Sequence, residues 1–424
     1  MNELLGIDYL RTQLSRKQSR VNLRYKFYEM KNVQKDFEIT MPKEFRWLKV
    51  CLGWCTKSVD YMANRLVFRG FENDIFNFNE IFAMNNQDVF FDSAILSALI
   101  TSCSFVYIYL DEEGKAKLQV IDGRHATGVM DTTTAMLKEG YAVLDTDEFG
   151  SPSLEAYFMP GRTTYYENGE EAYSVDNEAP YPLLVPIINR PDAKRPFGHS
   201  RISRACMEIQ EEAMRTLKRA EVSAEFYSFP QKYVTGLSDD VEFNNFKATV
   251  SSFLAFYQDE NGNSPSIGQF TQQSMSPYTE QLRMFASLFA GETGLTLDDL
   301  GFATDNPSSA EAIKASHENL RLEARKAQRT FGTGFLNVGY LARCLENKVP
   351  YARSVLYDVK PKFEPIFEPD LAALGLIGDG AIKINQAVPG YFGRDNLRDL
   401  TGCEASSEED TSTAQLLQSE NQGA

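Results

Sequence analysis

The stretch 306–346, which opens NPSSAEAIKASHENLRLEARKAQRTFGTGF, can hardly adopt anything but one very long helix. Pro307 stops what precedes it. Ser308 and Glu311 have the spacing of a capping box, in which each side chain satisfies an orphan amide of the first turn. Apolar or near-apolar residues recur at Ile313, His317, Leu320, Ala324, Ala327, Phe331, Phe335, Val338, Leu341 and Leu345, in steps of mostly three and four. That spacing keeps one side of a helix buried along its length. At about 1.5 Å per residue, the helix is expected to span roughly 58 Å. Few compact domains need so long an element, so it reads as a spar in a large assembly. The stripe is longer than one subunit is expected to cover, which predicts a closed homo-oligomer, since cyclic closure is the usual way to satisfy a head-to-tail contact.

A chain of 424 residues, 43% hydrophobic, suffices for several sizeable cores. Its 59 acidic residues against 43 Lys and Arg give a formal charge of −16. That balance argues against a protein that grips nucleic acid by neutralising phosphates, but not against one that merely surrounds DNA. No apolar run reaches the roughly 18 residues of a membrane span, and Met1 begins a polar, charged helix rather than a signal peptide. The expected setting is a reducing cytoplasm.

The six cysteines stand at 51, 55, 103, 206, 344 and 403. Cys51 and Cys55 are four apart on one expected helix face, and no second Cys or His pair completes a tetrahedral zinc site, so buried free thiols are expected. His125, His199 and His317 belong to unrelated segments. Phosphate loop, nucleophile elbow and metalloprotease helix are all missing from the sequence. The sequence therefore points to no catalytic residue, metal or cofactor.

Along the chain, residues 1–30 read as a basic amphipathic helix ending in an aromatic cluster. Residues 45–66 read as a second helix, with Trp47, Cys51, Trp54, Ser58 and Tyr61 on one face, and residues 79–101 as a third. The period then changes to two. FVYIYLDEEGKAKLQVID reads as two strands about a turn at 112–114, and MLKEGYAVLDTD, SLEAYFMP and TTYYENGEEAYSV add more, separated by Asp, Gly and Asn turns. To about residue 190 the expectation is an α+β domain of helices followed by a twisted antiparallel sheet.

A proline-rich crossing (181–200) follows, then a helix over 201–227 with Ile202, Met207 or Ile209, Met214, Leu217 and Val222 inward. Residues 229–273 read as a small module of strand, helix, strand, the turn ENGNSPS and a last strand. Residues 278–291 read as a further helix. The segment GETGLTLDDLGFATDNPSS carries Asp298, Asp299 and Asp305 after Glu292 and no Lys or Arg. After Pro350 the pattern breaks into short elements, and from Cys403 the composition predicts disorder.

This order of elements resembles the portal (head–tail connector) proteins of tailed bacteriophages. LLVPIINRP followed by GHSRISRA is similar to the family's valine-proline strand, asparagine-arginine turn and Gly-x-Ser-x-Ile helix start. SSAEAIKASHENLRLEARKAQRTFG resembles its long helix, DYMANRLVFRGF its early helix and turn, and IKINQAVPGYFGRDNLRDLTG its short C-terminal module. One departure is Ser102–Cys103–Ser104, where such proteins often carry a glycine before the strand.

The resemblance implies an α+β portal-like fold and a ring of about twelve subunits around a channel. Residues 1–200 and the long helix 308–346 would form the wing, and 201–228 with 274–292 the stem helices. Residues 229–273 would be the clip, a small α/β module, and 293–307 the tunnel loop. Residues 347–424 would be a helical crown with a disordered tail. Thr296, Asp298, Asp299 and Asp305 would line the channel, through which double-stranded DNA passes non-specifically during packaging and ejection. Phe256, Tyr257, Asp259, Glu260, Asn261 and Asn263 of the clip would dock the terminase large subunit and then the head–tail adaptor. Major capsid and scaffold proteins would be further partners, with no membrane involved. The location implied is the portal vertex of the virion, the chain being made in the host cytoplasm.

Physics agrees on one point: a channel through which DNA slides should not neutralise phosphates, because each contact adds affinity and friction. The three aspartates read equally well as solvated loop acids or helix caps. Two other readings compete with the portal. An enzyme with an oligomerisation arm would need convergent catalytic groups, and the sequence offers none. A protein-binding scaffold or adaptor would oligomerise through the long helix without contacting DNA. Microscopy separates them, since only the portal reading predicts a ring with a central hole.

Overall fold

The computed structural model describes residues 4–33, 43, 47–228, 232–235, 266–269, 274–302, 315–366, 371–393 and 396–397. The fold is α+β, as expected. The chain divides into two compact units. Residues 1–18, 60–200 and 321–424 form the first, and residues 19–59 with 201–320 form the second.

Two antiparallel sheets organise the first unit. One has three strands in the order β3-β2-β9: β2 (Cys103–Leu110), β3 (Ala116–Ile121) and β9 (Leu184–Ile188). The first six residues of β2 are buried without alternation, which marks a strand covered on both faces. The other sheet is a five-stranded meander in chain order. It comprises β4 (Ala126–Met130), β5 (Leu137–Thr146), β6 (Pro152–Met159), β7 (Arg162–Glu167) and β8 (Glu170–Asp176). Asn168 and Gly169 close the last hairpin with φ of 50° and 89°, the paired positive values that a two-residue turn with matched twist requires.

Helix α1 (Ile7–Tyr28) contributes its first half to this unit. Leu10 and Leu14 pack on Tyr141, Val143 and Tyr157 of the meander. Polar contacts fix the helix there. Buried Glu139 accepts the amides of Leu5 and Gly6 at 2.9 and 3.1 Å, completing the helix N-terminus from a distant strand. Tyr157 donates to the same carboxylate at 2.6 Å. Arg11 forks onto Glu155 at 3.1 and 2.6 Å, and the Tyr141 hydroxyl also donates to Glu155. Burial, and then that bond, push the Tyr141 phenol above its ordinary value.

Two expected helices are shorter than their patterns. The helix expected over 45–66 is α2 (Trp54–Ala63), beginning just after Gly53, a residue that disfavours a helix interior. Trp47 and Cys51 are consequently exposed, whereas Trp54, Cys55 and Ser58 are buried. The helix expected over 79–101 is two, α3 (Phe78–Ala83) and α4 (Gln87–Thr101). Asn86 breaks it in the left-handed conformation, φ 51° and ψ 61°. Asn85 supplies the reason, because its side chain pairs with strand β3. Its amide donates to the carbonyls of Ile81 and Ala116 at 2.7 and 3.0 Å, and its oxygen accepts the Leu118 amide at 3.0 Å.

The long helix, α7 (Glu318–Asn347), is 30 residues long, about 45 Å, and not the expected 58 Å. Ser308, Glu311 and Ile313 lie outside the described residues. Every other member of the expected stripe, from His317 to Leu345, is buried. This corrects the argument for oligomerisation: the chain itself covers the described part of the stripe, from His317 to Leu345, which leaves no face there for a neighbour. Gly334 allows part of that cover, since a Cβ there would stand 2.8 Å from Ile187 of β9. Strand β12 (Lys360–Phe363) returns to pair with β1 (Phe68–Glu72), and Phe68, Phe91, Phe335 and Phe363 meet edge-on or tilted around that pair. The last described helix is α8 (Leu371–Ala387).

The crossing from β9 toward the next helix explains two motif residues. Gly198 has φ 73°, and a Cβ there would lie 2.0 Å from the Asn189 carbonyl oxygen. Only glycine fits so close an approach. The Ser200 hydroxyl donates to the Ile100 carbonyl at 2.6 Å, satisfying the last turn of α4. Ser102, which ends α4, has φ 97°. The departure from the family's glycine therefore falls at a position whose backbone favours glycine.

The second unit contains α5 (Arg204–Ser228) and α6 (Ser276–Thr293). They run antiparallel, tied by Ser203 to Glu292 at 3.0 Å, Thr216 to Gln281 at 3.2 Å and Ser223 to Tyr278 at 2.8 Å. Among the described side chains of α5, Cys206, Gln210, Ala213, Met214, Thr216 and Lys218 are buried, whereas the expected Met207 or Ile209, Leu217 and Val222 are half-buried. Gln210 is inside because its side-chain oxygen accepts the Cys55 amide at 2.8 Å. Strands β10 (Lys232–Thr235) and β11 (Ser266–Gln269) pair antiparallel beyond these helices in sequence.

Candidate functional site

The acidic segment after α6 is built from the end of that helix outward. Gly294 takes the left-handed cap at φ 69° and donates its amide to the Ala290 carbonyl at 2.8 Å. Leu295 and Leu300, both buried, anchor the loop that follows. Between them, Thr296 and Asp299 bond reciprocally. The Thr296 amide donates to Asp299 Oδ2 at 2.8 Å, and the Asp299 amide donates to Thr296 Oγ1 at 3.2 Å. His317 Nε2 lies 3.1 Å from the same aspartate oxygen, with both side chains only 11% exposed. Lys57 Nζ donates to the Asp299 carbonyl at 2.9 Å.

The expected site residues therefore separate. Thr296 and Asp299 come together as a cap inside their own unit. Asp298, one residue away, is exposed. Asp305 lies outside the described residues. An exposed carboxylate repels a polyanion, but one that accepts the Thr296 amide and lies against His317 is not offered to solvent. Asp298 is thus the described acid whose charge reaches outward.

Arg201 was not legible as a structural centre, and it is one. It is buried, and its Nε donates to the Ser58 carbonyl at 2.8 Å, while its other arm donates to the Thr293 carbonyl. One guanidinium thus joins the interior of α2 (Trp54–Ala63) to the last residue of α6, where the acidic loop begins. Five fixed donors suit it to several carbonyls at once. The available signal was its position inside the Gly-x-Ser-x-Ile motif, between Ser200 and Ile202.

Phe256, Tyr257, Asp259, Glu260, Asn261 and Asn263 all lie outside the described residues. The strands that bracket them are described, in the register Lys232 opposite Gln269 and Thr235 opposite Ser266. The segment carrying the six residues therefore starts and ends side by side. Cys55 and Cys206 are buried thiols, each pushed above its ordinary value first by burial, which makes them poor nucleophiles and poor metal ligands. No described helix is long and apolar enough to cross a membrane.

Comparison with known proteins places these features in a family. Residues 7–374 match the family model described as phage portal protein, SPP1 Gp6-like. The portal protein of Mycobacterium phage L5 is 24% identical over 330 residues, 72% of this chain and 67% of its own length. The portal protein of Mycobacterium phage D29 is 31% identical over 156 residues, 35% of this chain and 31% of its own. A solved chain from the neck of a native GTA particle, computed with C12 symmetry, aligns over 83% of this chain and 90% of its own length. Its TM-score is 0.46 and its identity 14%. With nearly the whole chain matched by the family model, this chain belongs to the SPP1 Gp6-like family of phage portal proteins.

Proposed function

We propose that this chain is the subunit of a ring of about twelve copies at one vertex of a phage capsid. DNA is packaged and later ejected through the central channel of that ring. The observation that carries the reading is the family match over residues 7–374. In this reading Asp298 faces the channel, where repulsion keeps the duplex centred and sliding freely. Asp305 shares that role, and Thr296 with Asp299 holds the loop in shape. The clip residues 256–263 dock the terminase large subunit during packaging and a head–tail adaptor afterwards. Scaffold and major capsid proteins surround the ring. The role is structural, and the energy for translocation comes from the separate terminase. Native mass spectrometry and negative-stain microscopy of the full chain, alone and with scaffold, test the reading. A closed ring with a central hole is expected; only monomers and dimers at every concentration, with no ring in procapsids, overturn it.

A further inference from the structure

The first unit holds a cavity of about 910 Å³ whose charge runs against that of the chain. Its apolar floor includes Pro186, Ile188 and Gly334, and its rim carries Arg190, Lys326, Arg329 and Arg353. Arg353 is engaged by the Asn337 side chain. Arg190, Lys326 and Arg329 are exposed and have no acidic partner among the described residues. The two acids on the rim are already occupied. Asp131 accepts the Thr133 amide at 2.9 Å, and Asp192 sits 2.6 Å from His199 while accepting the amides of Lys194 and Arg195. Helix α7 continues the cation row with exposed Arg325, beside a second hollow floored by Pro361 and Phe363. In a chain of formal charge −16, such a row points to an anionic partner.

The same unit carries a matching surface elsewhere. The hairpin of β7 and β8 ends in Glu167-Asn168-Gly169-Glu170-Glu171, with all three acids exposed. Among the described residues its outer strand β8 pairs with β7 alone, and it leaves Tyr173 and Val175 about half exposed. Cavity and hairpin lie at opposite corners of the meander. The turn joining β4 to β5, residues 131–135, lines the cavity and belongs to the first edge of the sheet. The β7–β8 hairpin forms the other edge, four strand spacings or about 19 Å away. In an antiparallel meander, turns alternate between the two ends of the sheet. The first turn and the fourth therefore fall at opposite ends as well. Complementary surfaces at opposite corners cannot meet within one copy. Repeated head to tail between copies, they generate a ring or a filament.

We propose that the acidic tip Glu167–Glu171 of one subunit seats in the basic cavity of the next, facing Lys326 and Arg329. This contact rests on the ring reading above and supplies the interface that the self-covered stripe of α7 does not. Charge complementarity sets its register, while Tyr173 and Val175 add apolar area beside it.

The test is charge reversal and exchange in the full chain. Lys326→Glu with Arg329→Glu, and separately Glu170→Lys with Glu171→Lys, should each lower ring yield about tenfold at low salt. The chain carrying all four changes should recover rings. Circular dichroism reports whether each variant folds. Carbodiimide cross-linking of parent rings, read by mass spectrometry, should join Lys326 to Glu170 or Glu171 between subunits whether or not the variants fold. Rings at parental yield from either double variant, or no recovery in the fourfold variant, overturn the proposal. So does an intact ring that packages less DNA in the Lys326 and Arg329 variant, which would assign the cavity to nucleic acid. A parent chain that never forms rings overturns this contact and the ring reading together, whereas parental rings indifferent to these charges overturn the contact alone.

Discussion

Asn189 and His199 hold each other across the proline-rich crossing. The Asn189 side-chain amide donates to the His199 carbonyl at 2.8 Å, and the His199 amide donates to the Asn189 carbonyl at 2.9 Å. The Asn189 backbone amide donates in turn to the Ser102 carbonyl at 2.9 Å. The asparagine-arginine turn and the Gly-x-Ser-x-Ile start, ten residues apart, are thus two halves of one clamp. Gly198→Ala forces a methyl group onto the Asn189 carbonyl and should destabilise the chain by about 2–4 kcal/mol. Chemical denaturation checks this. A midpoint equal to the parent's would mean the crossing is not held as described.

Ser102 offers the opposite change. At φ 97° a side chain is strained, and glycine is not. Ser102→Gly should stabilise by about 1 kcal/mol, the strain relieved exceeding the extra chain entropy lost on folding. The same denaturation experiment reads the sign.

Asp122 predicts an acid transition. Burial raises its pKa, but the bond and charge of His125 at 3.0 Å and of Arg124 at 2.8 Å outweigh that and hold it down at about 2. A depressed carboxylate stabilises the fold fully above its unfolded value, near 3.8. That contribution is lost as pH falls from about 4 through about 2. Asp122→Asn should therefore cost about 1–2 kcal/mol at neutral pH and nothing below the transition. Thermal melts of both proteins at several pH values test whether the two curves converge in acid.

The two neighbouring aspartates should respond differently. Asp299→Ala removes the acceptor shared by Thr296 and His317 and should lower stability by about 1–2 kcal/mol. Asp298→Lys, on the exposed side, should leave ring formation intact and reduce packaged DNA per procapsid, more strongly at low salt. Packaging equal to the parent's at low salt would remove Asp298 from the channel wall.

For the clip, Asp259→Lys with Glu260→Lys should preserve rings and weaken or alter terminase binding. Co-sedimentation of variant rings with terminase is the measurement. Unchanged binding together with normal packaging would move the docking surface elsewhere.

Periodicity by itself determined the α+β class, the order of helices and strands, and the inward face of the long helix from His317 to Leu345. Those features follow from local rules, since a spacing of three to four or of two leaves one buried face whatever the partner. Motif order was enough to identify the family. Tertiary structure decided what the periodic pattern does not encode. Asn85 breaks one expected helix because its amide bonds to strand β3, a partner some thirty residues on. Arg201 and Glu139 are buried charges, indistinguishable in sequence from solvated ones until the carbonyls or amides they satisfy come into place. Asp298 and Asp299 are adjacent and chemically identical, yet one is exposed and the other is capped by Thr296 and His317. The long helix also proved to bury its stripe within its own chain, because the area available to cover an apolar face depends on where distant segments return. Hydrophobic pattern specifies which face must be buried; only the assembled fold specifies what buries it.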